Sequence, residues 1–174
     1  MSITTKRGDD GNTDLWFADR VPKFHPQVEA YGDFDEAKAA LGLARSQAPE
    51  WMKPEILKIQ KDLYMVSSEL ATLRGKVDRL KERANPALVT WAEEQLARYE
   101  KKIEIKDWVI SGESAAGAAL DMAITIIRRG ERRCVRLQEE GYIDNRDLLI
   151  YVNRLSDLLF LMARAVDWNI EVPA

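Results

Sequence analysis

Residues 115–137 read AAGAALDMAITIIRRGERRCVRL, and their apolar side chains recur every three or four positions. That spacing places them along one face of an α-helix, because the helix turns once in about 3.6 residues. The predicted core face comprises Ala116, Ala119, Leu120, Ala123, Ile127, Gly130, Cys134 and Leu137. The arginines at 128, 129, 132, 133 and 136 project away from it. We therefore predict a helix that is packed on one side and positively charged on the other.

The same three-to-four spacing runs through nearly every long segment, while the alternation typical of strands is almost absent. The fold class is therefore all-α, a bundle of five helices. The first is predicted to start at Asp33 with Glu36 in its capping box, and the second to span Lys53 to about Arg74. The third is expected from Asn85 to about Ile103, the fourth from its cap Ser114 to just before Gly141, and the fifth from Asn145 or Arg146 to about Val166.

The chain of 174 residues fits a single domain, 1–174. Residues 1–32 are polar and glycine-rich, which predicts an ordered loop or short hairpin over a bundle formed by 33–168. Residues 75–85 are the most polar connector and are expected to be flexible.

Charge and composition restrict the function. A net charge of −3 argues against a nucleic-acid binder held by a basic field. The one cysteine, Cys134, allows neither a disulfide framework nor a thiolate metal cluster, so we expect a cytoplasmic protein. No uninterrupted apolar run reaches about 18 residues, so we expect no membrane span.

The fifth predicted helix is apolar on two sides. Its core stripe contains Leu148, Val152, Leu155, Leu159, Met162 and Val166, while Leu149, Ile150, Phe160 and Leu161 lie around the other side with Asn153 and Arg154. A helix that is apolar on nearly all sides is buried on nearly all sides. In so small a bundle this predicts a homo-oligomer whose interface contains Asn153 and Arg154.

Each of these features has an ordinary structural interpretation. An arginine stripe is often a solvated face with ion pairs along the helix, and Glu131 is placed to orient Arg128 or Arg132. The glycine-rich loop has a common turn composition, and Trp108 would serve as a hydrophobic plug. A buried arginine without a partner is costly, however, and such a residue favours a bound anion.

Four segments together resemble the PduO-type ATP:cob(I)alamin adenosyltransferases in order and spacing. They are TTKRGDDGNT (4–13), RVPKFHPQVEAYGDFDEAKAALGLARS (20–46), RRGERRCVRL (128–137) and YVNRLSDLLFLMAR (151–164). The resemblance implies a homotrimer in which ATP, with Mg²⁺, and the corrinoid meet at each subunit interface. It also implies that Co(I) attacks the ribose 5′ carbon of ATP and that triphosphate leaves. Because Co(I) is itself a strong nucleophile, no serine, cysteine or histidine is needed to start the reaction.

The resemblance assigns roles position by position. The nucleotide-binding loop would be formed by Thr5, Lys6, Gly8, Gly11, Thr13 and Lys23. The helical part of the ATP site would be formed by Arg128, Glu131, Arg132, Asn153 and Arg154. Asp35 and Trp108 would contact the corrinoid, Arg128, Arg132 and Asp35 would be the catalytic residues, and no residue is assigned as a metal ligand.

The chain departs from the family pattern on the corrinoid side. Trp108 and Ser111 replace phenylalanine and proline, Lys38 replaces asparagine, and Asp121 and Ile124 replace the histidine and arginine of H-x-x-R. The absent arginine is the usual partner of Asp35, so we expect impaired corrinoid affinity and an improvement in Ile124→Arg. A weak or repurposed ATP-binding paralogue is therefore an alternative. An RNA-binding bundle is a third, disfavoured by the net charge and by the lack of aromatic side chains among the arginines.

Overall fold

The computed structural model describes residues 4 and 6–173, which form five α-helices and one small hairpin. Strands β1 (Asn12–Asp14) and β2 (Arg20–Pro22) pair in antiparallel register, with Thr13 opposite Val21. The helices are α1 (Pro26–Gln47), α2 (Lys53–Leu70), α3 (Pro86–Glu100), α4 (Ala115–Glu139) and α5 (Arg146–Asp167). The predominantly helical fold and the expected hairpin are confirmed.

The predicted start of the first helix at Asp33 is wrong, because α1 begins seven residues earlier, at Pro26. Proline suits the first helical position, where no amide hydrogen is required, and His25 caps the helix by accepting from Gln27 N at 3.3 Å. The loop predicted for residues 1–32 consequently ends before Pro26. Asp33 is not a cap but a buried residue within the helix, only 5 % exposed.

The other helix boundaries follow their local signals more closely. Ser114 caps α4 by accepting from Gly117 N at 2.9 Å, and Asn145 caps α5 by accepting from Asp147 N at 3.0 Å. The predicted ends of α2 and α3 are too late, since these helices stop at Leu70 and Glu100. All eight residues of the predicted α4 core face are buried.

The helices pack in the spatial order α2, α1, α4, α5, α3. Helices α1 and α4 approach closely at Gly130, where an added Cβ would lie 2.9 Å from the ring of Phe34. Helix α5 packs against both α4 and α3. On its second apolar side Leu161 is buried, while Leu149, Ile150 and Phe160 remain partly exposed in the subunit. Asn153 is exposed on this subunit and Arg154 is half-buried.

The connector after α2 is held in place and not simply flexible. It forms a 3-10 turn, Arg74–Arg79, and its end is tied to the buried carboxylate of Glu69. Glu69 accepts from Arg83 Nη2 at 2.9 Å, from Ala84 N at 3.1 Å and from Asn145 Nδ2 at 2.9 Å. Among the described residues, no helix is both long and apolar enough to cross a membrane.

Candidate functional site

The arginines of α4 divide into two groups according to the helix they face. Arg129 and Arg133 lean onto α1, where Asp33 Oδ1 accepts from Arg129 Nε at 2.9 Å and from Arg133 Nη1 at 3.1 Å. Arg129 also pairs with Glu36, and Arg133 with Glu29. Hydrogen bonding to Asp33 raises the pKa of Arg129. These two arginines are therefore structural bridges, not members of a solvated face.

Arg128 and Arg132 point outward from the same helix. Both are exposed, and neither makes a hydrogen bond or an ion pair with any residue that the structure describes. Together with Glu131 and Val135 they line a shallow cavity of about 250 Å³. Two adjacent guanidinium groups that make no ion pair with a described residue form a place where an anion would be bound favourably.

Glu131 does not pair with either arginine, contrary to expectation. It accepts instead from Asn153 Nδ2 at 2.9 Å, which links α4 to α5. Asn153 Oδ1 in turn accepts from Arg154 Nη1 at 3.1 Å, and Arg154 Nε donates to Glu93 of α3 at 3.1 Å. These contacts link Asn153, and through it Arg154, to Glu131, which lies between the two unpaired arginines in the chain.

The N-terminal loop places its predicted residues around a series of tight turns. Lys6 and Gly11 have positive φ angles of 58° and 82°, and Lys23 N donates to Gly11 O at 3.0 Å. A Cβ on Gly8 would lie 3.3 Å from Lys23 Nζ, so the backbone at Gly8 allows this lysine to lie close. Thr5 lies outside the described residues.

The loop is clamped by one arginine that the sequence pattern did not single out. Arg20 Nη2 donates to both carboxylate oxygens of Asp10 at 2.7 Å and to the carbonyl of Arg7 at 2.6 Å. Its hydrogen bond to Asp10 lowers the pKa of that carboxyl to about 2. The remaining predicted loop residue, Thr13, is hydrogen-bonded to Tyr31 of α1.

The loop and the α4–α5 cluster are not joined by polar contacts among the described residues of one subunit. The hairpin rests on α1 through Tyr31 and on the end of α2, where Trp16 N donates to Ala71 O at 2.8 Å. No hydrogen bond or ion pair joins residues 6–23 to Arg128, Arg132 or Asn153 in the described part of the chain. The predicted nucleotide residues therefore form two separate groups on the surface of one subunit.

Asp35 is neither buried nor unpaired in the subunit, although the chain lacks the arginine that is its usual partner in the family. Its side chain is 57 % exposed and pairs with Lys38 Nζ at 2.7 Å. Lys38 is itself buried, with its ammonium 3.3 Å from Ser67 Oγ and 3.8 Å from the centre of the Tyr64 ring. The lysine that replaces the family asparagine thus links Asp35 to α2.

Trp108 lies in the connector before α4 and is 96 % exposed, so it is not a plug within the subunit. It lines an open cavity of about 630 Å³ with Phe160 of α5, a residue that sequence reasoning placed only on an apolar face. Ile124 is 7 % exposed and belongs to the core. The nearby Asp121 accepts from Arg164 Nη2 at 2.7 Å, an ion pair that sequence reasoning missed.

Comparison with known proteins identifies a family and several relatives. A family model described as cobalamin adenosyltransferase matches residues 3–166. The corrinoid adenosyltransferase PduO of Salmonella typhimurium is 36 % identical over 169 residues, covering 96 % of this chain and 50 % of that protein. The corrinoid adenosyltransferase of Bacillus subtilis is 34 % identical over 174 residues, covering 96 % and 87 %. The chain thus spans about half the length of the Salmonella relative and most of the Bacillus one.

Solved structures agree with these sequence matches. A variant PduO-type ATP:corrinoid adenosyltransferase from Lactobacillus reuteri, complexed with cobalamin and ATP, superposes with a TM-score of 0.86 at 31 % identity. The alignment covers 99 % of this chain and 94 % of that one. A sequence match over nearly the whole chain and a shared fold lead to one conclusion: the chain belongs to the cobalamin adenosyltransferase family.

Proposed function

We propose that this protein transfers the 5′-deoxyadenosyl group of ATP to cob(I)alamin or a related corrinoid. In this reaction the cobalt–carbon bond forms as the carbon–oxygen bond at C5′ breaks, and triphosphate leaves with the electron pair of that bond. The observation that carries the proposal is the pair Arg128 and Arg132, exposed and without partners among the described residues, beside Asn153 and Arg154. The family relationship gives this cationic cluster its proposed ligand, the phosphates of ATP.

The protein's contribution to this chemistry would be positioning and charge stabilisation. Charge-assisted hydrogen bonds contribute roughly 1.5–3 kcal/mol each, so a few of them exceed the cost of ordering the arginine side chains. Arg128 and Arg132 would stabilise the negative charge that grows on the departing triphosphate. Lys6, Lys23 and the amide groups near Gly8 and Gly11 would hold the phosphates from the other side. Thr5 and Thr13 complete the proposed loop.

We further propose a homotrimer with each ATP site shared between two subunits. The loop and the helical cluster share no hydrogen bond or ion pair within the described residues, which supports a site in which one subunit supplies the loop and its neighbour the cluster. In that arrangement Asp35 and Trp108, both exposed here, would face the corrinoid. We also propose that residues 1–174 form a single domain, in which the nucleotide-binding loop precedes α1 and the helices form the bundle.

Mg²⁺ would enter with the nucleotide. The described residues contain no group of three histidine, cysteine or acidic side chains that could hold a metal ion. Because Mg²⁺ commonly keeps several water ligands and is bound through substrate phosphates, a protein cage is not required. The chain's own task is to bind and orient the phosphates that carry the ion.

A second candidate is a binding paralogue that takes up ATP or corrinoid without efficient transfer. It is favoured by the core position of Ile124 and by the Asp121–Arg164 ion pair, which occupy the places of the family arginine and histidine. The nucleotide residues would then be retained while the corrinoid side has changed.

An anaerobic assay separates the two candidates. Purified protein is mixed with ATP and chemically reduced corrinoid, and both the cobalt–carbon product and triphosphate are measured. Transferase activity yields equal amounts of the two products. Uptake of ATP with neither product would reject the transferase function and select the binding paralogue.

A further inference from the structure

A groove that the proposed ATP site does not use lies on the outer surface of α2. It has a volume of about 580 Å³, within the range of roughly 300–1,000 Å³ typical of small-molecule sites. Three aromatic residues line it: Trp16 and Phe17 from the hairpin tip and Tyr64 from α2. Trp16 and Tyr64 are 54 % and 64 % exposed. Exposed aromatic rings around one groove offer stacking surfaces for a flat ligand.

The hairpin tip adopts an unfavourable backbone to form this groove. Phe17 and Ala18 have φ angles of 65° and 63°, in the left-handed region that L-residues with a side chain rarely occupy. Glycine would fit either position without strain. The Phe17 ring is held in the groove wall by the guanidinium of Arg79, 4.1 Å from the ring centre. Strain retained at a bulky aromatic residue points to a use for that ring.

The groove also carries an excess of positive charge. Lys61, Arg79 and Lys81 line it, opposed by the single carboxylate of Glu82. Neither Lys61 nor Lys81 makes a hydrogen bond or ion pair with a described residue, although the chain as a whole has a net charge of −3. The aromatic and cationic lining of the groove therefore matches a ligand that combines a flat aromatic group with a phosphate.

A continuous set of contacts connects the groove to a proposed corrinoid residue. Asp35 pairs with Lys38 at 2.7 Å, and the ammonium of Lys38 lies 3.8 Å from the centre of the Tyr64 ring, which lines the groove. Two side-chain contacts thus separate Asp35 from the wall of the groove. Cobalamin carries both required groups in one place, since its tail is a benzimidazole attached to a ribose phosphate.

We propose that this groove binds the benzimidazole ribotide tail of the corrinoid, an inference that rests on the proposed function. The aromatic base stacks between Phe17 and Tyr64, and the tail phosphate is neutralised by Lys61 and Lys81. The groove thereby selects corrinoids that carry such a tail over those that lack it.

The direct test is a calorimetric titration of free α-ribazole 3′-phosphate, which carries its phosphate at the same ribose position as the cobalamin tail, into ATP-saturated protein. Phe17→Gly removes the aromatic wall while relieving strain, and the matched control Ala18→Gly relieves the same strain but keeps the wall. We expect at least fivefold weaker ribotide binding in Phe17→Gly and in Lys61→Ala, with unchanged binding in Ala18→Gly. Equal affinities in all variants, no binding to the wild type, or binding of AMP in preference to the ribotide would overturn the proposal.

Turnover gives an independent measure. The kcat/KM ratio for cobalamin over cobinamide, which lacks the ribotide, should fall at least fivefold in Phe17→Gly and remain constant in Ala18→Gly. Equal losses with both corrinoids would overturn the groove assignment. If the wild type adenosylates neither corrinoid, the proposed transferase function fails, and the ribotide titration decides the groove separately.

Discussion

Arg128 and Arg129 are neighbours in the chain, yet their surroundings differ completely. Arg129 bonds the buried carboxylate of Asp33, whereas Arg128 has no partner among the described residues. Removing an arginine that bonds a buried carboxylate leaves that charge poorly compensated, at a cost of about 1–3 kcal/mol. Removing one that awaits a ligand costs the fold little. Substituting Arg129 should therefore lower the stability of the fold, whereas substituting Arg128 should weaken ligand binding.

Arg128→Ala is expected to weaken ATP affinity at least tenfold, about 1.4 kcal/mol, and to change the free energy of unfolding by less than about 0.5 kcal/mol. Arg129→Ala should do the reverse, lowering stability by about 1–3 kcal/mol with little effect on ATP. Arg136→Ala is the control, because Arg136 is exposed and its hydrogen-bonded partner is Glu140. Calorimetry with ATP and urea unfolding give the two quantities. Unchanged ATP affinity in Arg128→Ala would return Arg128 to the solvated-face interpretation.

Ile124→Arg now carries a different expectation from the one drawn from sequence. Asp35 already has Lys38 at 2.7 Å, and Ile124 is 7 % exposed in the core. A guanidinium introduced there would be buried without a defined partner, which we expect to cost several kcal/mol of stability. Thermal unfolding and corrinoid kinetics test this together. A variant of wild-type stability with a lower corrinoid KM would show that Ile124 occupies the place of a useful arginine after all.

At the scale of elements, a buried carboxylate joins the ends of two helices. The N-terminus of α4 meets the C-terminus of α5 at Asp167, which accepts from Ser114 Oγ at 2.6 Å and from Arg164 Nη2 at 3.0 Å. Gly117 makes room for this carboxylate, because a Cβ there would lie 2.0 Å from Asp167 Oδ1. The glycine is required by packing and not by its backbone angles.

Gly117→Ala is therefore expected to destabilise the protein by at least about 2 kcal/mol, since the added methyl must displace a buried, paired carboxylate. Gly32→Ala is the matched control: Gly32 lies within α1, and a methyl added there would meet no described atom within 4 Å. That substitution should raise stability by about 0.5–1 kcal/mol through helix propensity alone. Urea midpoints measure both changes, and equal effects at the two glycines would contradict the packing account.

At the scale of the whole molecule, the two groups of proposed ATP ligands lie apart on one subunit. If the site is shared as proposed, the assembly is necessary for activity, because neither surface alone would complete the phosphate contacts. Sedimentation at micromolar concentration should show a trimer. A monomer would reject both the trimer and the shared site.

Subunit mixing tests sharing directly. Arg128→Ala impairs the helical half of the site and Lys23→Ala the loop half, so each variant alone should be much less active than the wild type at subsaturating ATP. In randomly mixed trimers about one quarter of the interfaces combine an intact loop with an intact helical cluster, because each interface takes one surface from each neighbour. Activity should reappear on co-refolding the two variants, and its absence in confirmed mixed trimers would place the site within one subunit.

Sequence alone determined the helical class, the limits of α4 and α5 and the core face of α4. These properties depend on local caps and on a repeat of about 3.6 residues, both of which are visible in neighbouring residues. The start of α1 at Pro26 was not predicted, because His25 followed by Pro26 is a weaker sign of a helix start than the capping-box pattern of Asp33 and Glu36. The N-terminal loop residues and the arginine motif were found through resemblance, not through periodicity.

Only the tertiary structure decided which charges are free. Arg129 and Arg133 bond acids on α1 that lie about 100 positions earlier in the chain. Glu131 accepts a hydrogen bond from Asn153, 22 residues later. Asp35 is paired with Lys38, and α5 packs against α3 as well as α4. Pairing of this kind depends on distances between side chains of different helices, and helical periodicity carries no information about which helix will be the neighbour. Within the described part of the chain, folding thereby leaves Arg128 and Arg132 without partners, and this is what makes them the candidates for binding ATP.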